Sequence, residues 1–128
     1  MDGRVNVMHF VLNGKRPEAC ADLMRWARWF ETADRHVAET QVGEVRISTV
    51  FLGLDHNRSK SGPPVLFETM AFIEGVQADY LPFSRYSTWE DAEAGHAAAV
   101  AVCRAVNDNA TEGAADLVSR LRRALDAQ

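Results

Sequence analysis

Apolar runs rich in β-branched and aromatic residues predict three strands along the chain. The segment 5–12, VNVMHFVL, is apolar on both alternating faces, which is typical of a strand covered on both sides. The segments 45–54, VRISTVFLGL, and 65–73, VLFETMAFI, are rich in β-branched and aromatic residues, which favour strands. A loop of turn-forming residues separates them, so we expect an antiparallel pair with a long connection. A fourth short strand is predicted within 80–86, where Pro82 makes it either an edge strand or an extended segment.

Apolar residues at three- and four-residue steps predict three helices. The first is expected to begin at Pro17 and to end at about Ala33. Ser87 opens a capping-box pattern before the second helix, which is expected to extend to about 106. The third is expected over about 112–125. The predicted order is β-α-β-β-(β)-α-α, which indicates an α+β fold: a small, mainly antiparallel sheet of three or four strands with helices packed on one face.

Composition indicates one globular domain over 1–128. The chain has 128 residues, of which 47% are hydrophobic and 25% are charged. Its two cysteines do not form a disulfide framework, and we expect both to be buried thiols. No secretion signal and no membrane-spanning apolar run is seen, so we expect a soluble cytoplasmic protein without a membrane partner. The formal net charge is −4, with −5 carried by residues 65–128, and direct nucleic-acid binding is therefore not expected.

Imidazole and carboxylate side chains suggest a divalent metal site. The candidate ligands are His36, Asp55, His56 and His96, with Glu68 in support; such groups suit zinc, manganese or iron. No two of them have a recognised ligand spacing such as H-E-x-x-H, and a histidine on an apolar helix face is commonly a core residue. A metal site and a structural role for these residues therefore both stay open, and no cofactor is assigned.

Two further positions in the sequence are unusual. Glu68 lies between apolar neighbours on its strand face, so it is either exposed to solvent or buried beside a partner such as Arg35, Arg46 or a histidine. Gly95 precedes His96 inside a predicted helix, where a glycine costs about 1 kcal/mol relative to alanine. Such a glycine often marks the close approach of another group.

Three aromatic residues are candidates for binding. Trp29 lies off the apolar stripe of the first helix and could form a second contact surface. Tyr86 and Trp89 flank the start of the second helix, where an anion or nucleotide could meet backbone N–H groups. A protein partner at an aromatic-rich surface is an equal alternative. The chain has no P-loop, G-x-G-x-x-G or G-x-S-x-G motif, so we lean against an enzyme.

Four phrases of the sequence resemble a family of small proteins encoded by bacteriophages and prophages. The phrases are MRWARWFETADRHVAET, VRISTVFLGLDHN, GPPVLFETMAF and RYSTWEDAEAGHAAAV, and the similar region covers about 12–102. The resemblance implies a phage accessory protein in the bacterial cytoplasm, and it supplies no activity. The polar and aromatic residues that fall in these phrases are Asp34, Arg35, His36, Asp55, His56, Glu68, Tyr86, Trp89 and His96. This chain departs from the family pattern at 57–61 and after Phe72, so a ligand site on those loops would be altered.

Two functions are compatible with these observations. The favoured hypothesis is a non-enzymatic binder that inhibits a host bacterial system, of the anti-defence or anti-CRISPR type, with a host bacterial protein as its partner. The alternative is a small metal- or nucleotide-binding protein, either a hydrolase or a sponge for a signalling nucleotide, that uses the His/Asp/Glu set. A homodimer is compatible with either.

Overall fold

The strands form a four-stranded antiparallel sheet and a separate two-stranded hairpin. The computed structural model describes residues 8–59, 61–73, 81–109 and 119–124. In chain order the elements are β1 (Phe10–Asn13), β2 (Arg16–Ala19), α1 (Leu23–Thr32), β3 (His36–Val42), β4 (Val45–Phe51), β5 (Phe67–Ile73), β6 (Leu81–Tyr86) and α2 (Trp89–Asn109). Residues 119–124 are helical as well. The predicted α+β class is confirmed.

The main sheet has four antiparallel strands in the order β3-β4-β5-β6. The predicted pairing of the second and third strands is confirmed, since β4 pairs with β5 along its whole length, from Val45 opposite Ile73 to Phe51 opposite Phe67. The predicted edge strand is β6, and it includes Pro82. A proline fits there because an edge strand has one side on which no ladder hydrogen bond is needed.

Helix α2 packs on one face of this sheet, which we call the inner face. One buried cluster joins residues of α2 to β3, β4, β5 and β6: Val42, Val45, Ile47, Ala71, Leu81, Ala99, Val100 and Cys103, together with Leu121. A second cluster of Phe51, Leu66, Phe67 and Ala92 lies near the start of α2. Because side chains alternate along a strand, the residues between these inward-facing positions lie on the opposite, outer face.

Helix α1 packs against the hairpin and also reaches the main sheet through Trp29. It contacts β1, and the Trp26 Nε1–H donates to the carbonyl oxygens of Phe10 and Gly53 at 3.1 Å each. Gly53 has φ +75, and a side chain there would overlap the Phe30 ring. These contacts fix α1 to the hairpin and to the chain that leaves β4.

The predicted helix start at Pro17 is wrong, because Pro17 lies in β2. Gly14 and Lys15 instead form the two-residue turn of a hairpin, with Gly14 at φ +63, and a glycine at the first turn position is typical of such hairpins. Helix α1 begins only at Leu23. The Asp22 carboxylate caps it by accepting the backbone N–H three residues further on, at 3.1 Å.

Strand β3 was not predicted. Its sequence, HVAETQV, alternates weakly because both faces carry polar residues, and a bulge after His36 shifts the register with β4. The strand is held by its partner and by a tight turn at Gly43, which has φ +57. Of the predicted first strand, 5–7 lie outside the described residues, and β1 belongs to the hairpin sheet instead of the main one.

The predicted cap of α2 was displaced by one residue. Thr88, rather than Ser87, accepts the N–H of Asp91 through its hydroxyl at 3.1 Å, and the helix begins at Trp89. It ends at Asn109, three residues beyond the predicted end. Of the predicted last helix, only 119–124 lie within the described residues, and these are helical.

Candidate functional site

A continuous line of side-chain hydrogen bonds crosses the interface between α2 and the sheet. His96 of α2 is 6% exposed; its Nε2 lies 2.8 Å from Thr40 Oγ1 on β3, and its Nδ1 lies 2.7 Å from Thr49 Oγ1 on β4. Thr49 Oγ1 lies 2.6 Å from Thr69 Oγ1 on β5, and the Tyr86 hydroxyl donates to Thr69 at 3.1 Å. We call these five residues the histidine relay. Each ring nitrogen of His96 therefore lies within hydrogen-bond distance of a threonine hydroxyl group.

Burial disfavours the charged form of His96. Desolvation lowers the pKa of its ring, because the protonated form loses hydration that the surrounding hydroxyls replace only in part. The neighbouring Gly95 allows another group to approach the helix closely, as the sequence suggested. A Cβ at that position would overlap the hydroxyl and ring carbons of Tyr86, so a glycine is needed for the tyrosine to reach the relay.

The other candidate metal ligands are held separately. His36 Nδ1 pairs with Asp34 at 3.1 Å on the surface, and hydrogen bonds from the backbone N–H and ring of His36 lower the pKa of that carboxyl. His56 Nδ1 lies 2.8 Å from the Leu54 carbonyl oxygen. Asp55 accepts two backbone N–H groups at 2.8 and 3.0 Å, one of them from Val65, and so closes its loop.

These positions do not bring the predicted ligands together. Within 8–59, 61–73, 81–109 and 119–124, no three His, Cys, Asp or Glu side chains are placed to share one metal ion. The histidine relay instead joins the sequence-derived candidates His96 and Tyr86 through two threonines, Thr49 and Thr69, which the sequence did not single out.

Glu68 is buried on the outer face and paired with a cation. Its side chain is 5% exposed, and Arg85 Nε lies 3.0 Å from its carboxylate. Arg85 lies directly opposite Glu68 in the β5–β6 register, which the sequence alone could not supply. The two arginines considered earlier have other roles: Arg35 donates to the Phe51 carbonyl oxygen at 3.1 Å, and Arg46 pairs with Glu39 at 2.9 Å.

The three candidate aromatics pack against the second core cluster. Trp29 meets Phe51 edge-on with ring centroids 5.8 Å apart, and Trp89 meets Phe67 in the same way at 6.3 Å. Tyr86 packs beside them. Their contacts explain these rings as part of the core. A shallow cleft of about 520 Å³ beside the start of α2 is lined by Trp89, Lys15 and neighbouring residues, and the predicted anion site would lie there.

The outer face combines half-exposed apolar side chains with arginines. The cross-strand register arranges it in three rows: Gln41, Arg46 and Phe72; Glu39, Ser48, Met70 and Pro82; and His36, Val50, Glu68 and Arg85. Val50, Met70 and Phe72 are partly exposed, and they form an apolar centre. A shallow, open cleft of about 550 Å³ extends this centre toward the end of α1.

The arginines of this face are held in place and remain accessible. Arg46 stacks on Phe72, with its guanidinium carbon 4.3 Å from the ring centroid, while it pairs with Glu39. The side chains of Arg46 and Arg85 are each 43% exposed. Each presents guanidinium N–H groups beyond the one that binds its carboxylate.

No protein-family model, curated protein or solved structure matches the chain. Among the residues that the structure describes, none of the helices has the length and apolar character needed to cross a bilayer.

Proposed function

We propose that this chain is a non-enzymatic binding protein that docks its outer face on a folded host protein. The observation that carries the proposal is the composition of that face: Val50, Met70 and Phe72 at the centre, with Arg46 and Arg85 beside them. Arginine, methionine and aromatic residues are enriched in protein interfaces, and an apolar centre with a polar rim is their usual arrangement.

The chemistry of the face favours a protein over a small molecule or a nucleic acid. Four strands about 4.8 Å apart make a surface roughly 15 Å wide, whereas small ligands are usually held in concave pockets. Both arginines are already paired with carboxylates, and the chain carries a net charge of −4, so this face offers little net positive charge to a phosphate backbone. The spare guanidinium N–H groups suit a partner that presents carbonyl or carboxylate oxygens around an apolar patch.

The resemblance to phage and prophage proteins supports a bacterial partner. In that setting the chain acts in the bacterial cytoplasm, and binding would inhibit a host system of the defence or CRISPR type. Inhibition by occupying a surface needs no catalytic group, and the buried, hydrogen-bonded placement of His96 accords with this role.

A matched pair of methionine substitutions tests the outer face. Met70→Lys places a charge in the apolar centre, and Met24→Lys makes the same change on α1, where Met24 is 66% exposed. Both lysines can extend into water, so both variants are expected to keep the unfolding midpoint of the wild type. We expect tagged wild type and Met24→Lys to retain one stoichiometric protein from bacterial lysate, and Met70→Lys to lose it.

Native mass spectrometry of the purified protein and of the captured complex completes the test. A one-to-one complex with a bacterial protein that depends on Met70 supports the proposal. Loss of the partner in Met24→Lys but not in Met70→Lys would move the interface to α1. A mass increment from a metal ion or nucleotide, with no protein partner, would overturn the proposal in favour of a ligand-binding protein.

A further inference from the structure

The histidine relay has one arrangement of hydrogens that satisfies its buried hydroxyl groups within the described residues. Tyr86 donates to Thr69, and Thr69 is fully buried, so its own hydrogen finds an acceptor in the relay only at Thr49 Oγ1. The Thr49 hydrogen then points to His96 Nδ1. The ring must therefore carry its proton on Nε2 and donate it to Thr40.

A second proton on the ring reverses this arrangement. With hydrogen on Nδ1, Thr49 Oγ1 must accept, and its own hydrogen must turn to Thr69. The Thr69 hydrogen must then turn to the Tyr86 oxygen, and the Tyr86 hydrogen loses its acceptor. One added proton thus reverses the hydrogen bond from Thr49 on β4 to the ring and those that continue to β5 and β6, while the Nε2–H bond to Thr40 on β3 is kept.

Among the residues that the structure describes, no carboxylate is paired with the His96 ring. The groups that face His96 from β3, β4 and β5 are threonine hydroxyls, and the group from β6 is the Tyr86 phenol. On α2 itself, Glu93 is exposed one turn earlier, and Cys103 lies two turns later as a neutral thiol whose pKa burial raises to about 11. The carboxylates of Glu39 and Glu68 lie on the outer face.

We propose that the histidine relay is an acid-sensitive latch, which holds α2 against the sheet while His96 is neutral and releases the helix when the ring is protonated. The arrangement fits this role because a buried imidazolium without a counter-charge is costly, and opening the helix returns it to water. Such a latch gives the protein a second, more open state at low pH.

The direction of the pH effect follows from proton binding. Burial lowers the pKa of His96 in the folded chain, whereas the unfolded chain titrates near the ordinary histidine value of about 6.5. Below that pH the unfolded state binds a proton that the folded state does not, so stability falls as the pH falls. Above it both states are neutral, and the full stability is present.

Urea unfolding of the complete chain near pH 7.5 and near pH 5.5 tests the latch. Glutamine at position 96 can offer an amide oxygen to Thr49 and an N–H to Thr40, but it cannot take up a proton. We expect acidification to lower the urea midpoint of the wild type, and to lower that of His96→Gln less than half as far. His56→Gln is the matched control, because the His56 ring bonds to the Leu54 backbone carbonyl oxygen and is not a member of the relay, and it should respond as the wild type does. Equal acid responses in His96→Gln and wild type would overturn the proposal.

Nuclear magnetic resonance of the wild type keeps the proposal testable if the glutamine variant does not fold. Ring nitrogen shifts near pH 7.5 are expected to show His96 protonated on Nε2 alone. As the pH falls, the protonated ring should appear only together with faster amide exchange in α2. A ring protonated on Nδ1 near pH 7.5, or an imidazolium within a fully protected α2, would show that the relay is no latch.

Discussion

Replacing Gly95 by alanine is expected to destabilise the protein, although the same change stabilises an ordinary helix interior. Alanine is favoured over glycine by about 1 kcal/mol at such a site. Here the added Cβ would overlap the hydroxyl oxygen and two ring carbons of Tyr86. The tyrosine must therefore move, and its ring is packed against the second core cluster, so it has little room.

The magnitude follows from the contacts that Tyr86 makes. Its hydrogen bond to Thr69 is worth about 1 kcal/mol, and forcing an extra carbon into a packed site costs about 1–3 kcal/mol. After subtraction of the gain in helix propensity, Gly95→Ala should lower the free energy of unfolding by about 1–3 kcal/mol. The sign of the effect, opposite to the propensity, is the informative part.

Urea unfolding of a double-mutant cycle provides the assay. In a Tyr86→Ala background the obstructing ring is gone, so Gly95→Ala should now raise the free energy of unfolding by about 1 kcal/mol. The two substitutions should thus be strongly non-additive, as expected for residues in contact. A stabilising effect of Gly95→Ala in the wild type, or simple additivity, would refute the reasoning.

Two further predictions concern buried groups. Arg85→Ala leaves the Glu68 carboxylate buried without its cation and should lower the free energy of unfolding by about 1–3 kcal/mol. Arg46→Ala breaks the exposed pair with Glu39 and should lower it by about 0–1 kcal/mol, so equal losses in thermal unfolding would contradict the prediction. Cys103 should resist alkylation near pH 8 until urea unfolds the chain, because it is buried and its thiol pKa is raised to about 11; rapid labelling of the native protein, read by intact mass, would show an accessible thiol.

The sequence predicted the strands whose side chains are mostly buried. It missed strand β3, which depends on pairing with its neighbouring strand. β4 and β5 were found because both are rich in β-branched and aromatic residues. β3 was missed because Glu39 and Thr40 face opposite sides, and neither side of the strand is uniformly apolar. The helix start at Pro17 failed because a proline also fits the second strand of a short hairpin.

The sequence singled out several residues of the candidate site, but it did not predict which residues they contact. Glu68 was expected to need a cation if buried, and it has one, but the identity of Arg85 depends on a β5–β6 register that no local pattern encodes. His36 and His56 were grouped with His96 on residue type alone. In the fold the His36 ring pairs with Asp34, and the His56 ring bonds to the Leu54 backbone carbonyl oxygen. Neither of these partners belongs to the histidine relay.

The relay and the outer face share the same strands, and this allows the two proposals to be tested independently. Thr49 and Thr69 point to α2, while their neighbours Val50 and Met70 point away from it. From the sequence the threonines read as ordinary strand formers, because only the register aligns them beneath His96. Since a side chain on one face of a strand does not contact those on the other, Met70→Lys leaves the relay intact. Partner binding and acid response are therefore separable properties of one sheet.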